Sequence, residues 1–136
     1  MAYQAHWFLK NRILDIRFDG DVSLDNLTQA ETHIYRCLEA SPGTVHILID
    51  IAEIAEVSIS VKDLLTSEAT RLVTEHPRLG WTIYYNDGKV NAMANMIATI
   101  VSQKTNTNIR ILGSRADAIA FIREMAADPE LAALLS

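Results

Sequence analysis

With 136 residues, 49% apolar and 21% charged, the chain has the length and composition of one globular domain that buries its own core. A net charge of −5 without any basic run argues against a nucleic-acid partner, whose phosphates need a positive face, and against a polybasic membrane contact. The single cysteine, Cys37, leaves no disulfide framework within the chain and no thiolate metal cluster.

The opening MAYQAHWFLKNR lacks the basic-then-apolar order of a signal peptide, and no apolar run reaches the ~18 residues of a membrane-spanning helix. A cytoplasmic protein without an integral membrane segment is expected. Residues 3–9 (YQAHWFL) and 12–18 (RILDIRF) read as two strands of a tight antiparallel hairpin about Lys10–Asn11. Leu14, Ile16 and Phe18 alternate with Asp15 and Arg17, which predicts one buried face and one facing water. The segment DGDVS (19–23) reads as a turn. Leu24, Leu27, Ala30, Ile34, Cys37 and Leu38 then recur at helical spacing, with Ser23 placed as N-cap and SPG (41–43) as the stop.

Residues 44–50 (TVHILID) form an apolar, β-branched run that predicts a central strand ending at Asp50. A loop to Ser60 follows. Val61, Leu64, Leu65, Ala69, Leu72 and Val73 then make a second amphipathic stripe. LGWTIYY (79–85) is the next strand and NDG (86–88) a turn. Val90, Met93, Ala94, Ile97, Ile100 and Val101 line one side of a third helix. NIRIL (108–112) is the last strand, and SRADAIAFIREM (114–125) the last long helix, with Ser114 and Asp117 at capping-box spacing. Asp128–Pro129 opens a short helical tail within 126–136. The order β-β-α-β-α-β-α-β-α predicts an α/β fold: a mixed, mostly parallel sheet with an N-terminal hairpin and about four packed helices.

Chemistry-bearing residues are sparse. No glycine-rich phosphate loop occurs among the five glycines, and only Gly88–Lys89 resembles an anion-binding turn. The four histidines, His6, His33, His46 and His76, share no metal-ligand spacing, and His46 reads as a satisfied core histidine. No metal and no cofactor is expected. Cys37 sits on an apolar stripe, where a thiol is packed and inert. Ser58 and Ser60 have no neighbouring base, and G-x-S-x-G is absent. Asp19, Asp21, Asp50, Glu53 and Glu56 cluster after strands and motivate an enzyme as one alternative. A phosphoacceptor receiver would use Asp19, Asp21 and Asp50, but the last strand ends ILGSR, without the lysine that chemistry needs.

The order of elements, with the stretch HILIDIAEIAEVSISVKDLL (46–65), resembles the STAS domain of anti-sigma-factor antagonists, the SpoIIAA-like family that also includes cytoplasmic tails of sulfate transporters. Those antagonists place Asp-Ser-Ser-Gly between a strand-end aspartate and a helix, and a kinase phosphorylates the second serine. Aligned from Asp50, Ser60 falls on that serine, Ile59 on the first serine, Ser58 on the aspartate and Val61 on the glycine. The phrases VHILIDI and HPRLGW are also similar to STAS-like proteins of unknown role, related in structure to lipid-binding CRAL-TRIO-type domains. The resemblance implies a bacterial, non-enzymatic signalling module with Asp50, Ser58, Ser60 and Asp63 as its candidate phospho or docking loop. Its partner would be a kinase or an anti-sigma-like protein.

Ser60-Val-Lys-Asp63 is equally a helix-capping pattern, in which the serine hydroxyl satisfies a first-turn N–H. A second reading is a binding module for a small apolar ligand or lipid, motivated by Met93, Met96, Ile97 and Ile100, since methionine-rich faces adapt to varied ligands. The apolar first strand, with Trp7 and Phe8, is an edge that a homodimer would cover.

Overall fold

A computed structural model of the chain describes residues 3–89, 92, 95, 96, 99, 100, 103 and 108–136. Its frame is a five-stranded sheet in the order β1-β2-β3-β4-β5. β1 (Tyr3–Leu9) and β2 (Ile13–Ser23) are antiparallel, and β2, β3 (Val45–Ser58), β4 (Leu79–Tyr85) and β5 (Ile109–Leu112) are parallel. The hairpin closes through Asn11 at φ 64°, a conformation asparagine tolerates better than most residues.

Among the described residues, three helices pack on one face: α1 (Leu24–Ala40), α2 (Val61–Thr66) and α3 (Glu68–Thr74). Their core joins Ala30, Ile34 and Leu38 to Leu14, Ile16, Phe18, Ile47, Ile49 and Ile51 of the sheet. The opposite face is covered by α4 (Arg115–Met125) and α5 (Pro129–Leu134), with Ala118, Ile122 and Leu131 on Ile13, Leu48, Ile83 and Tyr85. Alternate residues of β3 thus supply both layers, as expected for a strand buried on both sides. No helix among the described residues is long and apolar enough to cross a membrane.

The caps follow the sequence. The Ser23 hydroxyl accepts from the Asn26 N–H, and Asn26 Oδ1 accepts from the Ser23 N–H, a complete capping box. The Ser114 hydroxyl accepts from the Asp117 N–H, and Asp128 caps α5 ahead of Pro129. His46 is buried, and its Nδ1 accepts from the Trp81 N–H at 2.9 Å. Burial holds that imidazole below its ordinary pKa. Gly80 makes this approach possible, because a Cβ there would lie 2.3 Å from His46 Nδ1.

Four expectations are corrected. DGDVS is not a turn: β2 runs on to Ser23 and pairs residue by residue with β3. β3 does not end at Asp50 but continues to Ser58. The stripe from Val61 to Val73 is two helices, because Ser67 ends α2 and caps α3 through the Thr70 N–H. The second face of β2 is not wholly solvated: Asp15 is 3% exposed beneath α4. Its Oδ1 accepts from the Tyr85 hydroxyl at 3.2 Å, and its Oδ2 meets Arg115 Nε at 3.0 Å and Nη2 at 2.8 Å.

Candidate functional site

β4 pairs with β3 only as far as Asp50. Beyond it, β2 and β3 continue as a two-stranded ribbon, with Asp19 opposite Glu53, Asp21 opposite Glu56 and Ser23 opposite Ser58. Two register shifts, at Arg17/Asp19 and Gly20/Asp21, each add one residue to β3. These bulges bend and twist the ribbon, and Gly20 takes φ 65° there. Asp50 folds its Oδ1 back onto the Ala52 N–H at 2.9 Å. Arg17 binds Asp19 at 3.1 Å, and Lys89 binds Glu53 at 2.7 Å. The Lys89 hydrogen bond and charge hold the Glu53 carboxyl below the usual range. Lys89, engaged in this pair, is not displayed for an anion in the NDG turn.

The ribbon leads into α2. Ser58 ends β3 and is exposed. Ser60 is the N-cap of α2, its hydroxyl accepting from the Asp63 N–H at 3.0 Å. Leu64 is buried and packs with Ile59, Tyr84 and Ile109, which fixes α2 on the sheet. The other side of the helix is open: Val61 is 37% and Leu65 39% exposed. They stand at i and i+4, one above the other on one face, beside exposed Lys62 and Asp63. The structure therefore brings Ser58, Ser60 and Asp63 together at the ribbon tip and leaves Asp50 at its root.

Beneath this surface lies a cavity of about 100 Å³ between the sheet and the α1–α3 layer. Its wall is aliphatic, including Ile34, Ile49, Ile51, Ile54, Val57 and Ile59. The polar wall groups include Glu31, Thr70 and Tyr84. The Thr70 hydroxyl donates to Glu31 Oε1 at 2.8 Å. Desolvation raises the Glu31 carboxyl to about 7, against a smaller lowering by that bond. Tyr84 is raised too, first by burial and then by the Glu31 charge. None of Asp19, Asp21, Asp50, Glu53 and Glu56 lines the cavity; Asp19 with Glu53 and Asp21 with Glu56 stand opposite one another on the ribbon instead.

Of the apolar face predicted on the third helix, Met93 and Ile97 lie outside the described residues. Met96 is 45% exposed, Ile100 is half-buried, and neither lines the cavity. Cys37 is half-buried against the α1 core, and burial pushes its thiol up. On the edge strand, Trp7 and Phe8 pack against the two core layers of their own chain.

No protein-family model matches the sequence, and no curated protein matches it. Solved structures do match in fold. The anti-sigma factor antagonist SpoIIAA in its unphosphorylated form aligns at a TM-score of 0.61 and 14% identity, over 91% of this chain and 98% of that one. The chain has a SpoIIAA-like fold. The Bacillus cell fate determinant SpoIIAA in its phosphorylated form aligns at 0.57 and 14% identity, over 89% and 99%. A protein of the DUF3478 family from Shewanella loihica PV-4, with the same fold, aligns at 0.58 and 15% identity, over 88% and 91%. The STAS-like architecture expected from the order of elements is therefore the one observed.

The Glu31–Thr70 pair and the buried Asp15–Tyr85–Arg115 cluster escape the sequence reading. Glu31 carried a signal, since it stands on the α1 stripe between Leu27 and Ile34.

Proposed function

We propose that the chain is a non-enzymatic regulatory or protein-interaction module of STAS-like type, docking partners through the ribbon tip and α2. The observation that carries this reading is the exposed pair Val61 and Leu65 on a helix anchored from below by Leu64. Exposed, charged Lys62 and Asp63 follow Val61 directly on the same helix. An apolar centre with a charged rim is how transient protein interfaces are built. The partner class is a kinase or an anti-sigma-like protein, in keeping with the anti-sigma factor antagonist whose fold the chain shares.

In this reading Ser60 serves as a helix cap rather than a phospho-switch. Its hydroxyl is engaged by the Asp63 N–H, and a phosphate there would sit beside the Asp63 carboxylate, a like charge. The test is incubation with host lysate and ATP followed by phosphopeptide mass spectrometry. Phosphate on Ser60 would overturn the cap-only reading. Loss of partner binding in Val61→Ser with Leu65→Ser, with the fold intact by circular dichroism, is expected. Unchanged binding would remove the docking face. A homodimer through β1 belongs to the same proposal, and light scattering that finds only monomer at high concentration would contradict it.

A further inference from the structure

We propose that the cavity between the sheet and the α1–α3 layer binds a small primary amine, with its apolar body among Ile34, Ile49 and Ile51 and its ammonium on Glu31. This inference is independent of the docking reading, which uses the outer side of α2. Native interiors hold few voids larger than a water molecule, and an engineered apolar cavity of about 150 Å³ admits benzene. A cavity of about 100 Å³ suits a body of roughly four carbons by the same scale.

The wall selects the head group. Glu31 Oε1 takes the Thr70 hydroxyl, and among the described residues Oε2 has no hydrogen-bond partner and the carboxyl no ion pair. No Lys, Arg or His is among the described lining residues. Among the described lining residues the only other titratable group is Tyr84 on β4, a phenol that supplies no positive charge at neutral pH. A carboxylate in apolar surroundings without a counter-charge is costly unless a cation pairs with it. An ammonium with an aliphatic tail satisfies the carboxylate and the wall together. An anionic ligand would meet repulsion, and a neutral alcohol would gain only an uncharged donor's hydrogen bond, about half as strong.

The test uses the full chain with n-butylamine, n-butanol and butyrate at pH 7.5, followed by amide NMR shifts and titration calorimetry. Wild-type protein is expected to bind butylamine at least about tenfold more tightly than butanol and to ignore butyrate, with shifted amides at Ala30, Ile49 and Ile51. In Glu31→Gln, whose amide oxygen can still accept from Thr70, butylamine should fall to the level of butanol while butanol binding stays unchanged. The wild-type comparison decides the charge preference even if the variant folds poorly. Absence of binding by all three probes at millimolar concentration, equal binding of amine and alcohol, or a preference that survives Glu31→Gln would overturn the proposal. Each would leave Glu31–Thr70 as a polar tie between α1 and α3.

Discussion

Replacing Glu31 with Gln should change the pH dependence of stability in a way set by the cavity wall. The carboxyl titrates near 7 in the fold against 4.5 as its ordinary value. Below pH 4.5 both folded and unfolded chains hold the proton, and the group adds no pH dependence. Between pH 4.5 and 7 the folded chain keeps a proton that the unfolded chain has lost, so stability falls as pH rises. Above 7 both forms are ionised and the loss is complete. At about 1.4 kcal/mol per pH unit over the interval from 4.5 to about 7, the loss is at most roughly 3.5 kcal/mol. Glutamine matches the protonated carboxyl in shape and cannot ionise. The variant should therefore equal wild type near pH 4.5 and exceed it by up to roughly 3.5 kcal/mol at pH 8, a difference of about 1 M or more in urea midpoint. Urea unfolding of both proteins across pH 4.5–8 gives the difference curve, in which all other titrations cancel. Parallel curves would refute a desolvated Glu31.

Gly80→Ala should cost about 1–3 kcal/mol, because the new Cβ would meet His46 Nδ1 at 2.3 Å and Thr44 Cγ2 at 2.9 Å. Gly43→Ala, with nothing within 4 Å, should stay within about 0.5 kcal/mol in the same thermal melts. Ser60→Ala should lose the cap of α2, about 1 kcal/mol, whereas Ser58→Ala, which caps nothing, should change stability by less than about 0.5 kcal/mol; equal losses would contradict the cap. Arg115→Ala strips Asp15 of both guanidinium bonds. Urea unfolding should report a loss of about 3 kcal/mol, the lower end for breaking a buried pair, since the guanidinium is 43% exposed. A loss under about 1 kcal/mol would mean that Asp15 is solvated after all.

Most of the architecture was legible because its signals are local. The caps Ser23, Ser60, Ser114 and Asp128 are short-range chemistry, and the apolar run at 45–49 belongs to a strand buried on both faces. The end of β3 was not legible. Ile51, Ile54 and Val57 recur every third residue, which breaks the alternation of a strand and reads more like one face of a helix, yet all three line one cavity. Two bulges restore the parity of the strand, and a bulge leaves no sign in periodicity. The buried Asp15 was hidden for another reason. Its neighbours Tyr85 and Arg115 are 70 and 100 residues away, so an aspartate alternating with apolar residues looks solvated until α4 covers it. Glu31 was visible as a charge within an apolar stripe, but only the tertiary arrangement shows that it lines a cavity.

The docking claim is tested most directly by a photo-crosslinking residue placed in turn at Val61, Leu65, Met125 and Leu134 in the host cell, with captured proteins identified by mass spectrometry. All four positions are exposed and apolar, but the last two lie on the α4–α5 side. One and the same protein should be captured from positions 61 and 65, be absent from 125 and 134, and be lost when the unlabelled member of the Val61–Leu65 pair is changed to serine. Capture that is equal from both sides of the molecule, or unaffected by that serine, would contradict it.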